Sequence, residues 1–432
     1  MLDGYSNGLR LRADAARVVV RPFHIGWLSS NAMPSRTERI VRDVLDMSET
    51  AVRKHLRVVR HDFEKRHWQT RKIFLKRFHE IAGVLDIPDD DSISEARREL
   101  IGAYFCHEYS YAAAALMNPS VVRHYDQTGL RKGCVRIILT LRAVGEGHIS
   151  SIAFREGIIT ADHRLQLLPE PPFATATDAR GDEDIEQSGE VTVFRNEDST
   201  LSGTVIFPIT GAQAKGLEDL RLVEFRHEDG RREWIGTYTA YNGETIRSEL
   251  LRTSDFRSFD MCPLAGPAAR NKGLALFPRK IGGKYHMIGR QDGENLFHLV
   301  SDTLEYWGDG ELLLEPFYPW ELVQMGNCGP PIETEHGWLL LTHGVGAMRK
   351  YSIGAVLLDL DDPSKVLKRT VEPILAAGST DREGYVPNVV YTCGALLNGD
   401  TLFMPYGIAD SSVAFAFIPL NTMIEAMVAV KP

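Results

Sequence analysis

Six residues, Gly216 to Arg221 (GLEDLR), set two adjacent acids and an arginine into an otherwise apolar, strand-like run. Carboxyl groups in such a setting are the residue type of general acid–base chemistry, while the plain alternative is a solvated charge cluster at a strand end. Side chains alternate between faces along a regular strand. Asp219 and Arg221 are therefore expected on one face and Glu218 on the other. Further candidates come from a weak internal repeat. Four tight turns, each followed by an aromatic-rich strand, begin at Gly230 (GRREWIGTY), Gly283 (GKYHMIGR), Gly337 (GWLLLTHG) and Gly399 (GDTLFMPYG), with spacings of 53, 54 and 62 residues. Six or seven residues beyond each glycine stand Thr237, Arg290, His343 and Tyr406. A unit of about 50 residues matches one four-stranded propeller blade, and equivalent positions in successive blades face a common axis. These polar groups would then converge on one channel mouth, a default ligand site.

The elements that must carry these residues follow from the rest of the chain. Residues 1–117 read as a mainly helical region. A short strand over Val18–Pro22 precedes helical spacing from Ser35 to Leu56, through Ile40, Val44, Leu45, Val52 and Leu56. A second, densely charged helix is expected over about Ser48–Ile81, with Val58, Phe63, Phe74, Leu75 and Phe78 on its apolar face. After an acidic turn, Pro88–Asp91, Ser92 and Ser94 start a third helix, with Glu95 in its first turn, that runs to about Ala115. Ser30–Met33 reads as native sequence with no bearing on function. At Asn118 the pattern changes to strands: Cys134–Val144 and His148–Ile159 form a hairpin, Glu170–Gly189 is a polar excursion, and short β runs continue to about residue 420. Residues 421–432 carry a short final helix, Asn421–Val430. The hairpin region from 118 to 200 plus the four repeats gives an all-β five-bladed β-propeller over 118–420.

Composition limits the partners. A net charge of −9 argues against a general nucleic-acid binder. No run of about 18 apolar residues suits a membrane span, and the first residues lack the apolar core of a secretory leader. Cys106, Cys134, Cys262, Cys328 and Cys393 are odd in number, scattered and without metal-ligand spacing. They read as reduced thiols in a cytoplasmic protein with no metal site.

From about Asn118 to Leu420 the chain resembles glycoside hydrolase family 130, the β-mannoside phosphorylases and β-1,2-mannosidases. The matching stretches are GLEDLR, NKGLALFPRKIGGKYHMIGR (Asn271–Arg290), GPPIETEHGWLLLTHGV (Gly329–Val345), AVLLDLDDPSKV with EPIL (Ala355–Leu375), EGYVPNVVYTCG (Glu383–Gly394) and YGIAD (Tyr406–Asp410). One departure is Leu220, where the family usually has proline.

The resemblance implies a five-bladed propeller and assigns the proton donor to Asp219. Breaking a glycosidic bond requires protonation of a poor leaving oxygen, either directly or through a sugar hydroxyl, and a desolvated carboxyl can hold that proton near neutral pH. It further implies a phosphate site at Lys272, Arg290 and His343. Phosphate is already an anionic nucleophile and needs positioning rather than a base. Sugar contacts are implied or expected at Asn118, Arg142, Ser150 within His148–Ser151, Glu218, Arg221, Tyr238, Glu383, Tyr406 and Asp410, with Tyr391 a further stacking candidate. The expected reaction is inverting phosphorolysis of β-mannosides to α-mannose 1-phosphate, with inorganic phosphate as co-substrate and no other cofactor. A hydrolase of the same family, using Glu249, Glu294 or Glu383 as base, and a noncatalytic sugar-binding propeller are the alternatives. The helical region is expected to be a cap or a homo-oligomer contact.

Overall fold

A computed structural model describes residues 8–23, 35–87, 92–180 and 188–430. Ser30–Met33, the acidic turn Pro88–Asp91 and residues 181–187 of the polar excursion lie outside the described residues. The chain divides into two compact units: Ala15–Tyr111 with Pro171–Ala176, and Met1–Asp14 with Ala112–Glu170 and Thr177–Pro432.

The smaller unit holds four α-helices, Arg36–Asp46, Glu49–Phe63, Thr70–Leu85 and Glu95–Tyr104. Serine caps set three of the starts. Ser35 forms a capping box with Glu38, Ser48 accepts from Ala51 N–H, and Ser94 accepts from Arg97 N–H. The Ser48 cap breaks the run expected to continue from Ser35 to Leu56. The long charged helix expected over Ser48–Ile81 is likewise divided, with left-handed Gln69 preceding its second half. The third expected helix stops at Tyr104 rather than about Ala115, because Cys106–Ser110 pairs antiparallel with Val18–Pro22. Val41, Val44, Val52, Phe78, Ile81 and Leu100 form the apolar centre of this unit.

The larger unit is sheet-rich, built of antiparallel meanders. Ala115–Arg123, Val135–Val144 and Ser150–Ile159 pair in sequence order. Next come Gly216–Arg226, Arg232–Tyr241, Ile246–Thr253 and Ser258–Pro263. A separate sheet takes Ala275–Leu276, Tyr285–Gly289, Leu296–Ser301 and Glu311–Leu314. Gln324–Asn327, Gly337–Gly346, Lys350–Leu358 and Val366–Thr370 form another. Thr401–Ile408 and Ser412–Pro419 pair in the last, and Leu11–Arg12 joins its edge with Leu11 opposite Val413. All four repeat glycines precede or begin a strand as expected. Gly337–Gly346 is buried along its whole length, so both its faces are packed. The final helix is shorter than expected: Leu420–Glu425 is followed by Met427–Ala429, whose backbone pairs with Val366–Thr370. The polar excursion also contains a strand, Asp178–Arg180, on Val191–Phe194.

Two strands depart from regular geometry in the same way. In Gly216–Arg226 the pairing jumps from Glu218 opposite Thr239 to Arg221 opposite Thr237, so Asp219 and Leu220 face one residue. In Ala115–Arg123 it jumps from Met117 opposite Arg142 to Ser120 opposite Thr140. The first extra residue of each bulge is left-handed, Asp219 at φ 57° and Asn118 at φ 47°. Asp and Asn tolerate that conformation better than other side chains, and such bulges re-aim a side chain.

Candidate active site

The two bulges bring Asn118 and Asp219 together: Asn118 Nδ2 donates to Asp219 Oδ1 at 2.7 Å. They also correct the expectation for the acid pair. Because the left-handed residue breaks the strand alternation, Glu218 and Asp219 both reach one guanidinium. Arg142 Nη2 donates to Glu218 Oε1 at 2.8 Å and Nη1 to Asp219 Oδ1 at 3.2 Å. Its Nε donates to Ser150 Oγ at 2.8 Å. Arg221 is fixed on the other side of Asp219, donating to its carbonyl at 2.9 Å, to the Tyr391 hydroxyl at 2.6 Å and to Asn327 Oδ1 at 3.2 Å.

These groups line a cavity of about 170 Å³. Of the expected residues, it gathers Asn118, Arg142, Asp219 and Arg221 with Lys272, Arg290, His343 and Asp410, and it includes Tyr391. Thr237, Ser150, Glu218, Tyr238, Glu383 and Tyr406 are not on its lining. Ser150 and Glu218 stand behind it as partners of Arg142. Tyr238 is fully buried, and its hydroxyl binds Glu249 together with Gln213. Tyr406 packs against the apolar centre of the last sheets, and Thr237 donates to the Leu274 carbonyl. Glu383 lies exposed outside the cavity. None of the three carboxylates expected to serve a hydrolase lines it either: Glu249 is buried in its pairing with Arg247, and Glu294 is exposed.

Asn327, Arg349 and Tyr351 line the cavity without having been expected there. Asn327 connects the sites of both signs: it accepts from Arg221 and donates to the Gly273 and Ile288 carbonyls. Its only sequence signal is position in a Gly-Asn-Cys-Gly turn, just before a stretch that matched the family. Arg349 and Tyr351 lie at and just after a hairpin tip, where no periodic pattern marks them.

Electrostatics separate the acids. Burial favours the neutral form of Asp219, but Arg142, Arg221 and Lys272 outweigh it and hold the carboxyl low, at about 2. The resting carboxyl is thus ionised, contrary to the expectation that desolvation alone keeps it protonated. Glu218 shifts up, through burial and the Asp219 charge. Asp410 shifts up to about 6, again by burial and by Asp219, opposed by Arg142 and Arg349. His343 is pushed well down by burial and then by Arg290 and Arg221, so its ring is neutral at pH 7. Its Nδ1 lies 3.3 Å from the Asn327 carbonyl, which can only accept, so Nδ1 carries the hydrogen. The Cε1–Nε2 edge of the ring lies over Gly326, where a Cβ would come within 2.4 Å of Cε1. Glycine is required at that approach. With His343 neutral, Lys272, Arg290 and Arg349 are the cavity cations able to hold an anion, and Arg290 Nε is buried with no hydrogen-bond partner among the described residues.

Among the described residues, no group of three or more His, Cys, Asp or Glu side chains is placed to hold a metal ion, and no helix is long and apolar enough to cross a membrane. Arg279, near the anion-binding pair in sequence, lies elsewhere, paired with Glu333 and stacked on Trp338.

A sheet-built unit with acids and free cations across one small cavity suits a carbohydrate-active protein, and comparison with known proteins narrows that class. A family model described as Glyco_hydro_130, beta-1,4-mannooligosaccharide phosphorylase, matches residues 197–429. The chain belongs to glycoside hydrolase family 130. It is similar to a 1,2-beta-oligomannan phosphorylase of Thermoanaerobacter sp. (strain X514), at 43% identity over 153 residues, 35% of this chain and 51% of that protein. A beta-1,2-mannobiose phosphorylase of Listeria innocua is 35% identical over 230 residues, 51% of this chain and 63% of that protein. A beta-1,4-mannooligosaccharide phosphorylase of Ruminococcus albus is 33% identical over 206 residues, 45% and 61% of the two chains. The chain thus spans between 51% and 63% of the length of these three relatives. Among solved structures, a glycosyl hydrolase from Bacteroides ovatus has a TM-score of 0.51 at 20% identity, covering 72% of this chain and 85% of that one. Another, described by the phrase "the GH130 family of mannoside phosphorylases contains glycoside hydrolases that target beta-1,2 mannosidic linkages in Candida mannan", has a TM-score of 0.52 at 20% identity, covering 75% and 89%. At that identity both speak to the fold alone.

Proposed function

We propose that this protein is an inverting phosphorylase of β-mannosides. The observation that carries the reading is a pair of cations, Lys272 and Arg290, set in one cavity with Asp219, with a buried donor on Arg290 that no group among the described residues satisfies. An unpaired buried donor of this kind calls for an anionic or polar ligand, and inorganic phosphate is the co-substrate that the named relatives' chemistry requires. A phosphate oxygen attacks the anomeric carbon from the face opposite the leaving group. The glycosidic C–O bond breaks, and the leaving oxygen takes a proton from Asp219, directly or through a sugar hydroxyl. The products are α-mannose 1-phosphate and an acceptor one sugar shorter. His343, being neutral, orients phosphate rather than adding charge.

The low affinity of resting Asp219 for a proton fits this cycle. Its ionisation is maintained by Arg142, Arg221 and Lys272. A phosphate dianion beside Lys272 and Arg290 offsets part of that positive field, and bound sugar removes water, so both substrates raise the proton affinity of Asp219 when the acid is needed.

The same reading includes a five-bladed propeller for the larger unit. It is supported by five successive meanders and by the pairing of Leu11–Arg12 with Ser412–Pro419, which joins the start of the unit to its end. A cytoplasmic setting is supported by five free cysteines.

Hydrolysis is the second reading, and Asp410 is the observation that favours it, a cavity carboxyl whose proton affinity is raised. Incubation with β-1,2-mannobiose, with and without phosphate, separates the two. Phosphate-dependent release of mannose 1-phosphate is expected; equal cleavage to free mannose without phosphate would sink the phosphorylase reading.

A further inference from the structure

The cavity of about 170 Å³ is smaller than the ~300 Å³ at the lower end of ligand pockets, so a chain of two or more sugars extends beyond its mouth. Its aromatic rings are engaged: the Tyr391 hydroxyl accepts from Arg221, and Tyr351 stacks on His343 with centroids 5.8 Å apart. An apolar surface for the C–H face of a second pyranose must therefore come from the rim.

Three hairpin tips share one backbone conformation. Gly147 and His148 (φ 68° and 59°), Met348 and Arg349 (58° and 53°), and Ala409 and Asp410 (49° and 48°) are successive left-handed pairs. Five of these six residues are not glycine, so the conformation is strained, and recurrent strain of this kind clusters at functional sites. Arg349 and Asp410 line the cavity. The His148 tip belongs to the hairpin that carries Arg142 and Ser150. Ser150 turns inward to Arg142, whereas His148 is exposed and meets Tyr385. Their ring centroids are 5.8 Å apart, and the Tyr385 hydroxyl lies 3.5 Å from His148 Nδ1. Tyr385 is 57% exposed. Its segment is pinned to the Asp410 tip: Val386 N–H donates to the Ala409 carbonyl at 3.0 Å, and a Cβ on Gly384 would lie 2.5 Å from that same oxygen. The pair thus bridges two hairpins that each send a charged side chain, Arg142 or Asp410, into the cavity.

We propose that Tyr385, held by His148, is the acceptor platform: the pyranose ring that departs with the Asp219 proton packs its C–H face on Tyr385, and the His148 ring edge meets its hydroxyls. This inference rests on the phosphorylase reading above.

The test uses the full chain in the synthetic direction, with α-mannose 1-phosphate as donor and mannose or β-1,2-mannobiose as acceptor. Tyr385→Ala and His148→Ala are each expected to raise the acceptor KM about tenfold, the effect of losing one ring contact, with the KM for mannose 1-phosphate changed less than about twofold. Tyr385→Phe keeps the ring and is expected to retain most acceptor affinity. An active wild type with unchanged acceptor KM in both alanine variants overturns the platform alone, as does an equal rise in both KM values. A wild type that neither makes a mannoside from mannose 1-phosphate nor cleaves one with phosphate overturns the phosphorylase reading and the platform with it.

Discussion

Replacing Arg290 by alanine probes the anion site most directly, because the structure isolates what that side chain does. Arg221 is committed to Asp219, Tyr391 and Asn327, and His343 is neutral. Of the cations that line the cavity, Lys272, Arg290 and Arg349 remain, and Arg290 has a buried donor without a partner among the described residues. A hydrogen bond to a charged group contributes roughly 1.5–3 kcal/mol. With a factor of ten for each ~1.4 kcal/mol, loss of one such contact weakens phosphate by about 10- to 150-fold. Initial rates of mannose 1-phosphate release from β-1,2-mannobiose, measured across a range of phosphate concentrations, give the phosphate KM directly. That constant is expected to rise by this factor, while the KM for mannobiose moves less than about threefold. An unchanged phosphate KM with a lowered kcat would refute the assignment, placing Arg290 on the sugar or in the scaffold. Cleavage of mannobiose at the wild-type rate with no mannose 1-phosphate formed would refute it more broadly.

Three further substitutions address the acids. Asp219→Asn is expected to lower kcat by at least about 10²–10⁴-fold, the range of a general-acid contribution, with mannobiose binding retained by calorimetry; wild-type turnover would remove Asp219 from the reaction. Arg142→Gln leaves Glu218 and Asp219 facing each other without their shared cation, and is expected to destabilise the fold by about 3–5 kcal/mol, read as a lower urea midpoint at pH 7. Asp410 is raised from 3.8 to about 6 in the folded protein, so its ionised form opposes folding: that penalty is absent below about pH 4, grows as pH rises to about 6, and is constant above. Asp410→Asn is therefore expected to stabilise the protein by roughly 1–3 kcal/mol at pH 8 and by nothing measurable at pH 4, and equal midpoint shifts at both pH values would contradict this.

Much of the strand grammar was legible because turn glycines and apolar alternation are local signals. The hairpin Val135–Val144 with Ser150–Ile159 lies within a few residues of its expected bounds. Helix ends were less legible: the Cys106–Ser110 strand exists because of a partner about ninety residues earlier in the chain, which no local pattern reports. At the site, Arg290 and His343 were marked by the repeat and both line the cavity, the first just past the end of its strand and the second within its strand. The same count failed for Thr237 and Tyr406, whose side chains turn to a carbonyl and to the apolar centre. The facing of Glu218 was misjudged since alternation presumes an unbroken strand, and the bulge at Asp219 breaks it. An Asn or Asp followed by a residue with no ladder partner is a bulge signal that both Asn118–Pro119 and Asp219–Leu220 carry in hindsight.

The pairing of Leu11–Arg12 with Val413 and Ser412 also sets an order of events during synthesis. The first of these strands leaves the ribosome some four hundred residues before the second, which at about 5–20 residues per second is on the order of 20–80 s. Throughout that interval an early segment waits without its edge partner, and the Arg10–Asp381 ion pair beside it is equally delayed. Pairing of Leu11–Arg12 is therefore a late step, and the nascent chain must keep this segment from pairing with a neighbouring polypeptide until Ser412–Pro419 emerges.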